Sequence, residues 1–310
     1  MKKATMATFS PKHSSKYSAR SISLPTRSHP STIQIEEELI KLKSWESPSS
    51  SSTSKVETIC YGLSGLIELY KCIEDLLKLP LTQQALFQHK NEKWINDLLD
   101  SPLRFLDQLG KTRDSILSMK GRVEDLQSAL RRRKFGDLGI ESNLSAYWSL
   151  RRNMRKECTK SLLLLKQIDG SFGAFFPLDL DDHLCSIVRV LREASLITSS
   201  IFQSLVVFVS SPILKSKLNK WALVSRLMQK GVLASNDQQE NINELEKVDF
   251  ALSSLIMENV SKDAEAEKIQ SAHRRLEALV VAIERIENES ECLFKRLINT
   301  RVSFLNIFSP

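Results

Sequence analysis

Residues Asp181 to Cys185 read DDHLC, the densest group of metal-ligating side chains in the 310-residue chain. A structural or catalytic metal site needs three or four such side chains converging on one point. On a helix, His183 and Cys185 point in different directions. Asp181 and Asp182 fall where a helix N-terminus ordinarily stabilises carboxylates. The stretch therefore reads as a helix start, not a metal centre. Gly62 to Gly65, GLSG, is one residue short of the GxSxG nucleophile elbow and has no strand before it. Its two glycines, three apart, suit close helix packing better than a phosphate loop, since no GK[ST] follows. The histidines at 13, 29, 89, 183 and 273 are isolated, and Cys60, Cys72, Cys158, Cys185 and Cys292 form no CxxC pair. That cysteine usage fits a reducing compartment inside the cell. With no HExxH, Walker or EF-hand motif either, no enzyme and no cofactor site is expected.

The remaining chemistry is regulatory. Arg20 to Pro25 reads RSISLP. Arg20 lies three residues before Ser23, the spacing that basophilic kinases hold in an acidic groove, and Ser21 is a second phosphorylation candidate. A phosphate on Ser23 would complete the Arg-Ser-X-phosphoSer-X-Pro pattern that 14-3-3 dimers read through an arginine cluster. The docking residues are Arg20, Ser23 and Pro25, with Pro25 turning the chain out of the groove. Phosphorylation adds about −1.5 to −2 charge to a stretch with no acidic residue before Glu36.

Charge distribution narrows the partner class. The net charge is +7, but six of the 44 basic residues lie in the first 35 positions, so the remaining chain is within one charge of neutral. A general nucleic-acid binder needs a basic face on its folded part, and no specific nucleic-acid partner is expected. Two local clusters remain: Arg131 to Lys134, and Arg151, Arg152, Arg155, Lys156 and Lys160. The first is expected to complement a helix C-terminus, in preference to an RNA or lipid-headgroup site.

The elements that would position these residues are helices. Hydrophobic content is 42%, with only nine glycines and nine prolines, and apolar residues recur at helical spacing nearly throughout. Residues 1–31 are expected to be a disordered, basic, Ser-rich tail. Residues 32–55 read as a short amphipathic helix and a Ser-rich linker, and 56–310 as a single helical-bundle domain. Within the bundle, Pro80 should stop the first helix. Ser101-Pro102 reads as an N-cap with proline at the first helical position, and Ser142 as the next cap. Phe172, Phe175 and Phe176 are expected to tuck into the body, and Ser211-Pro212 to open a further helix. Ala194 to Leu214 carries no charge and is long enough to span a bilayer. Its six serines, and Arg189, Arg192 and Glu193 just before it, favour a buried helix in the bundle instead, with its hydroxyls bonding neighbouring helices or carbonyls one turn back. Leu245 to Leu255 and Ile269 to Leu297 carry coiled-coil-like seams, expected to pair inside the chain. The fold class is therefore all-α: an elongated antiparallel helical bundle with coiled-coil-like C-terminal helices behind a disordered tail.

Four segments, RSISLPTRSHP (Arg20 to Pro30), GLSGLIELYKCIEDLLKLPLTQQAL (Gly62 to Leu86), RDSILSMKGRVEDLQSALRRRK (Arg113 to Lys134) and ECLFKRLINTRVSFLNIFSP (Glu291 to Pro310), resemble a plant-specific family of proteins with a domain of unknown function. That family is distantly related to the BYPASS proteins, which restrain a mobile root-to-shoot signal. The resemblance implies a helical plant protein linked to root and shoot development, and it supplies no catalytic residues. The expectation is a non-enzymatic, cytoplasmic interaction protein with protein partners. The alternative is a membrane-associated or chloroplast protein acting on a mobile small-molecule signal, since a basic, acid-free start also fits a transit peptide.

Overall fold

The computed structural model describes residues 30–45, 54–132, 138–171, 181–211, 243–255 and 262–309. Arg20, Ser21, Ser23 and Pro25, the three phenylalanines after Ser171, and the helix expected from Pro212 lie outside those residues.

Among the described residues the chain forms eight helices and no strand. They are α1 (Pro30–Lys43), α2 (Lys55–Leu77), α3 (Pro80–Gln88), α4 (Lys93–Arg132), α5 (Leu138–Ser171), α6 (Asp182–Val209), α7 (Glu244–Leu255) and α8 (Lys262–Phe308). At 1.5 Å per residue, the 47-residue α8 is about 70 Å long, so the bundle is elongated. Directions follow from ion pairs. Arg113 meets Glu291, Lys120 meets Glu284 and Arg131 meets Glu277, so α4 and α8 run antiparallel. In these three pairs α4 supplies the cation and α8 the anion, whereas near the start of α4 the order reverses, with Asp100 facing Arg301. Ser199 Oγ donates to the Leu165 carbonyl, and Arg151 reaches Val209, which sets α5 and α6 antiparallel.

Local sequence explains the boundaries. Ser54 caps α2 in a reciprocal box: its Oγ accepts from the Glu57 backbone N–H, and its own N–H donates to the Glu57 carboxylate. Pro80 ends the α2 run as expected and also opens α3 at its first position. Two starts are corrected. Ser101-Pro102 does not begin a helix: α4 runs from Lys93 straight through Pro102. Proline in a helix interior removes one backbone bond, and tertiary contacts cover the site. Ser101 Oγ pairs with Ser195 Oγ of α6 at 3.1 Å, and the Arg301 guanidinium of α8 donates to the neighbouring Leu99 carbonyl. Ser142 is not a cap either, because α5 begins at Leu138.

Helix α6 sits at the centre, with Leu184, Ile187, Ile201, Phe202, Leu205 and Val209 all buried. Its hydroxyls bond as its sequence suggested. Thr198 Oγ1 donates to the Ala194 carbonyl one turn back at 2.6 Å and pairs with the Tyr70 hydroxyl at 3.1 Å. Among the described residues α6 is also the one helix long and apolar enough to cross a membrane, yet 56% of its apolar window is buried inside the bundle. Alkaline carbonate should therefore release the chain from any membrane it sediments with. Retention in the pellet would mean that α6 leaves the bundle to span a bilayer.

Helix α1 seats on α2 and α6 through Ile35, Leu39 and Leu42, with Trp45 just beyond it. The glycines of GLSG make the seat. A Cβ at Gly65 would collide with Leu42, and one at Gly62 would press on Trp45 and Ile201 at 3.2 Å. Leucine is the better helix former by nearly 1 kcal/mol, so α2 alone would gain from Gly65→Leu. In the folded chain the same change should cost about 1–3 kcal/mol by overpacking and raise hydrogen exchange in 30–43 but not in α8. A stabilised variant with unchanged exchange would show that α1 does not need the glycine.

Candidate functional site

The most elaborate polar arrangement is buried where α5, the end of α6 and the start of α7 meet. Arg151 is 0% exposed. Its position follows from α5's pattern: Leu144, Tyr147, Met154 and Cys158 are buried at helical spacing, and Arg151 falls in the same row. Its Nη1 donates to the Val209 carbonyl at 2.8 Å, and its Nη2 donates to the Ser211 carbonyl at 3.0 Å and to Asp249 Oδ2 at 2.9 Å. The Tyr147 hydroxyl donates to the other Asp249 oxygen at 2.6 Å. Nε of Arg151 has no hydrogen-bond partner among the described residues. Asn243 completes the junction: its side-chain amide donates to Ser211 Oγ, and its Oδ1 caps α7 by accepting from the Glu246 N–H at 2.8 Å. Ser211 Oγ in turn donates to the Phe208 carbonyl at 2.8 Å.

This is a clamp. Carbonyls at the end of a helix have no partner within it, and the guanidinium supplies donors to those around the end of α6 while neutralising Asp249. Burial pushes the Tyr147 hydroxyl well above its ordinary range, with the Asp249 charge adding to it and Arg151 opposing it. Burial also lifts the Cys158 thiol to about 11, again against Arg151. Neither group is poised as a nucleophile near neutral pH.

A second cluster lines an open cleft of about 560 Å³ between the end of α4 and α8, floored by Leu130 and Ile269. Arg131 Nε donates to His273 Nε2 at 2.9 Å, and His273 Nδ1 lies 3.2 Å from Glu277 Oε1. Both ring nitrogens are thus engaged. Arg131 and Arg132 lie in the last turn of α4, where the macrodipole favours cations, as the sequence suggested.

The other sequence candidates resolve simply. Asp181 is the N-cap of α6, its Oδ1 accepting from the Leu184 N–H at 2.7 Å. Among the described residues no three His, Cys, Asp or Glu side chains come together as a metal site. GLSG lies inside α2. The cluster from Arg151 to Lys160 is split by the fold: Arg151 points inward, and the others are exposed. Sequence reasoning grouped Arg151 with its charged neighbours and missed the clamp. The signal was present, since Arg151 lies four residues after Tyr147 and three before Met154.

A family model described as Protein BPS1 matches residues 62–307, a span that runs from the glycine seat on α2 through the clamp to the last turn of α8. The chain belongs to the BPS1 family. No curated protein and no solved structure matches it. The matched span begins after α1, so the helix seated on Gly62 and Gly65 lies outside the family match.

The raised groups set an alkaline limit. Tyr70 is also raised, by burial first, with its Thr198 bond opposing. Each raised group keeps its proton longer folded than unfolded, so the unfolded state binds fewer protons above pH 9 and stability falls as pH climbs. Stability should be flat between pH 7 and about pH 8 and then fall by up to about 1.4 kcal/mol per pH unit for each group titrating only when unfolded. Tyr147→Phe should flatten that slope, and urea melts from pH 7 to 10.5 read it. A slope unchanged by Tyr147→Phe would contradict the assignment.

Proposed function

We propose that this protein is a non-enzymatic helical interaction protein of plants, acting in root and shoot development, whose N-terminal tail docks a 14-3-3 dimer when Ser23 is phosphorylated. Family membership supports the developmental setting at the coarse level of the BPS1 family. The observation that carries the docking is the Arg20, Ser21, Ser23, Pro25 pattern in a stretch without acidic residues. A phosphate there gains charge-assisted bonds from an arginine cluster and meets no like charge nearby in the sequence. The non-enzymatic reading draws support from the polar clusters described above. In the clamp and in the cleft, hydrogen bonding and ion pairing to neighbouring helices occupy the side chains that catalysis would need.

A basic, Ser-rich tail has too little apolar surface to add to a core, so docking and stability should separate. Ser23→Ala should abolish 14-3-3 binding without moving the melting temperature, and Arg20→Ala should lower phosphorylation. Calorimetry with a tail peptide carrying phosphoserine at position 23 checks the binding step. Equal affinity for the phosphorylated and unphosphorylated peptides would remove this function.

The acid-free basic start also favours a second reading, a plastid-targeted or membrane-associated protein acting on a mobile small-molecule signal. Mass spectrometry of the mature N-terminus decides between them. Removal of the tail with Ser23 would support targeting, whereas its retention in a cytoplasmic fraction would support the docking motif.

A further inference from the structure

We propose that the outer face of α5 is a docking surface for an anionic lipid bilayer, with Arg152, Arg155, Lys156, Lys160 and Lys166 meeting the headgroups and Leu163 entering between them. The fold makes this face by removing Arg151 to the interior and leaving its charged neighbours outside. Arg152, Arg155, Lys156, Lys160, Leu163 and Lys166 stand at i, i+3, i+4, i+8, i+11 and i+14, one side of a helix, over about 21 Å. All six are exposed. The one acidic residue from Ser142 to Ile168 is Glu157, and it is spent on Lys160 at 2.8 Å. Arg152, Arg155, Lys156 and Lys166 have no ion pair among the described residues. In a chain whose body is near neutral, four cations on one helix face with no ion pair among the described residues are a local field, not a reflection of overall charge.

The apolar component selects the partner. Leu163 is 59% exposed and Leu164 is 41% exposed, so large aliphatic side chains sit in water among the cations. A bilayer with anionic lipids takes both at once: its surface potential attracts the cations, and its headgroup boundary accepts the leucine. Single-stranded RNA would satisfy the cations but is held by aromatic stacking, and residues 152–167 contain no aromatic side chain. This is peripheral binding. It keeps α6 in the bundle and is independent of the Ser23 motif.

The test is co-sedimentation of the full chain with phosphatidylcholine vesicles containing 0 or 30% phosphatidylserine, at low and at half-molar salt. The expected result is binding to the anionic vesicles alone, largely lost at high salt. With each surface cation contributing about fivefold to affinity, Arg152→Gln/Arg155→Gln/Lys156→Gln should weaken binding roughly a hundredfold. Leu163→Ser should weaken it at low salt and leave its salt dependence unchanged. All four positions are exposed, so the variants should melt as the parent does. Neutralising the six basic residues of the first 35 serves as the control and should leave most of the binding. Equal binding by the parent and the triple variant, or loss with the tail control alone, would overturn the assignment. So would binding to a single-stranded RNA oligonucleotide or an acidic protein with none to the vesicles.

Discussion

A guanidinium with no access to water must be neutralised and hydrogen-bonded, because an unpaired buried charge costs several kcal/mol. Arg151 imposes that requirement on three helices. It is met only when the end of α6 presents Val209 and Ser211, α7 brings Asp249, and α5 itself supplies Tyr147 one turn away. Hydrophobic contacts tolerate sliding by a fraction of a turn, whereas a guanidinium bonded to two carbonyls and a carboxylate does not. The clamp therefore fixes the register in which the apolar faces of α5, α6 and α7 meet. It also ties together the two sides of the chain between Ser211 and Asn243, which bond each other directly.

The rest of the bundle is organised around that fixed end by weaker and more numerous contacts. Along α4 and α8 the complementary charges add little stability at the surface, but they disfavour other registers, since a shifted α8 would lose its match to Arg113, Lys120 and Arg131. Serine and threonine hydroxyls along α6 give helix-to-helix bonds at Ser195, Thr198 and Ser199, so the uncharged second half of the helix still packs specifically. At the other side, missing Cβ atoms at Gly62 and Gly65 let α1 approach α2 closely. Among the described residues, the polar clusters hold helices together.

Helical periodicity made the architecture legible: α2, α4, α5, α6 and α8 all follow apolar rows visible in the sequence. Ser101-Pro102 and Ser142 both carry local capping chemistry, yet both lie inside longer helices; at the first, a Ser195 hydroxyl and an Arg301 guanidinium bond the backbone region around the proline. The clamp escaped for a different reason. Arg151 reads as one of a run of charges unless its place in the apolar row of Tyr147 and Met154 is followed, while Asp249, 98 residues away, offers no local sign of pairing. The packing role of Gly62 and Gly65 was readable because their spacing on a helix face is itself the signal.

The double-mutant cycle between Arg151 and Asp249, read by urea denaturation, tests the central claim that this buried pair holds the bundle's register. Arg151→Met or Asp249→Leu alone should each cost about 3–5 kcal/mol by stranding its partner. The double variant should cost far less than the two together, a coupling of at least about 2 kcal/mol. Additive losses, or an Arg151→Met chain as stable as the parent, would contradict the account.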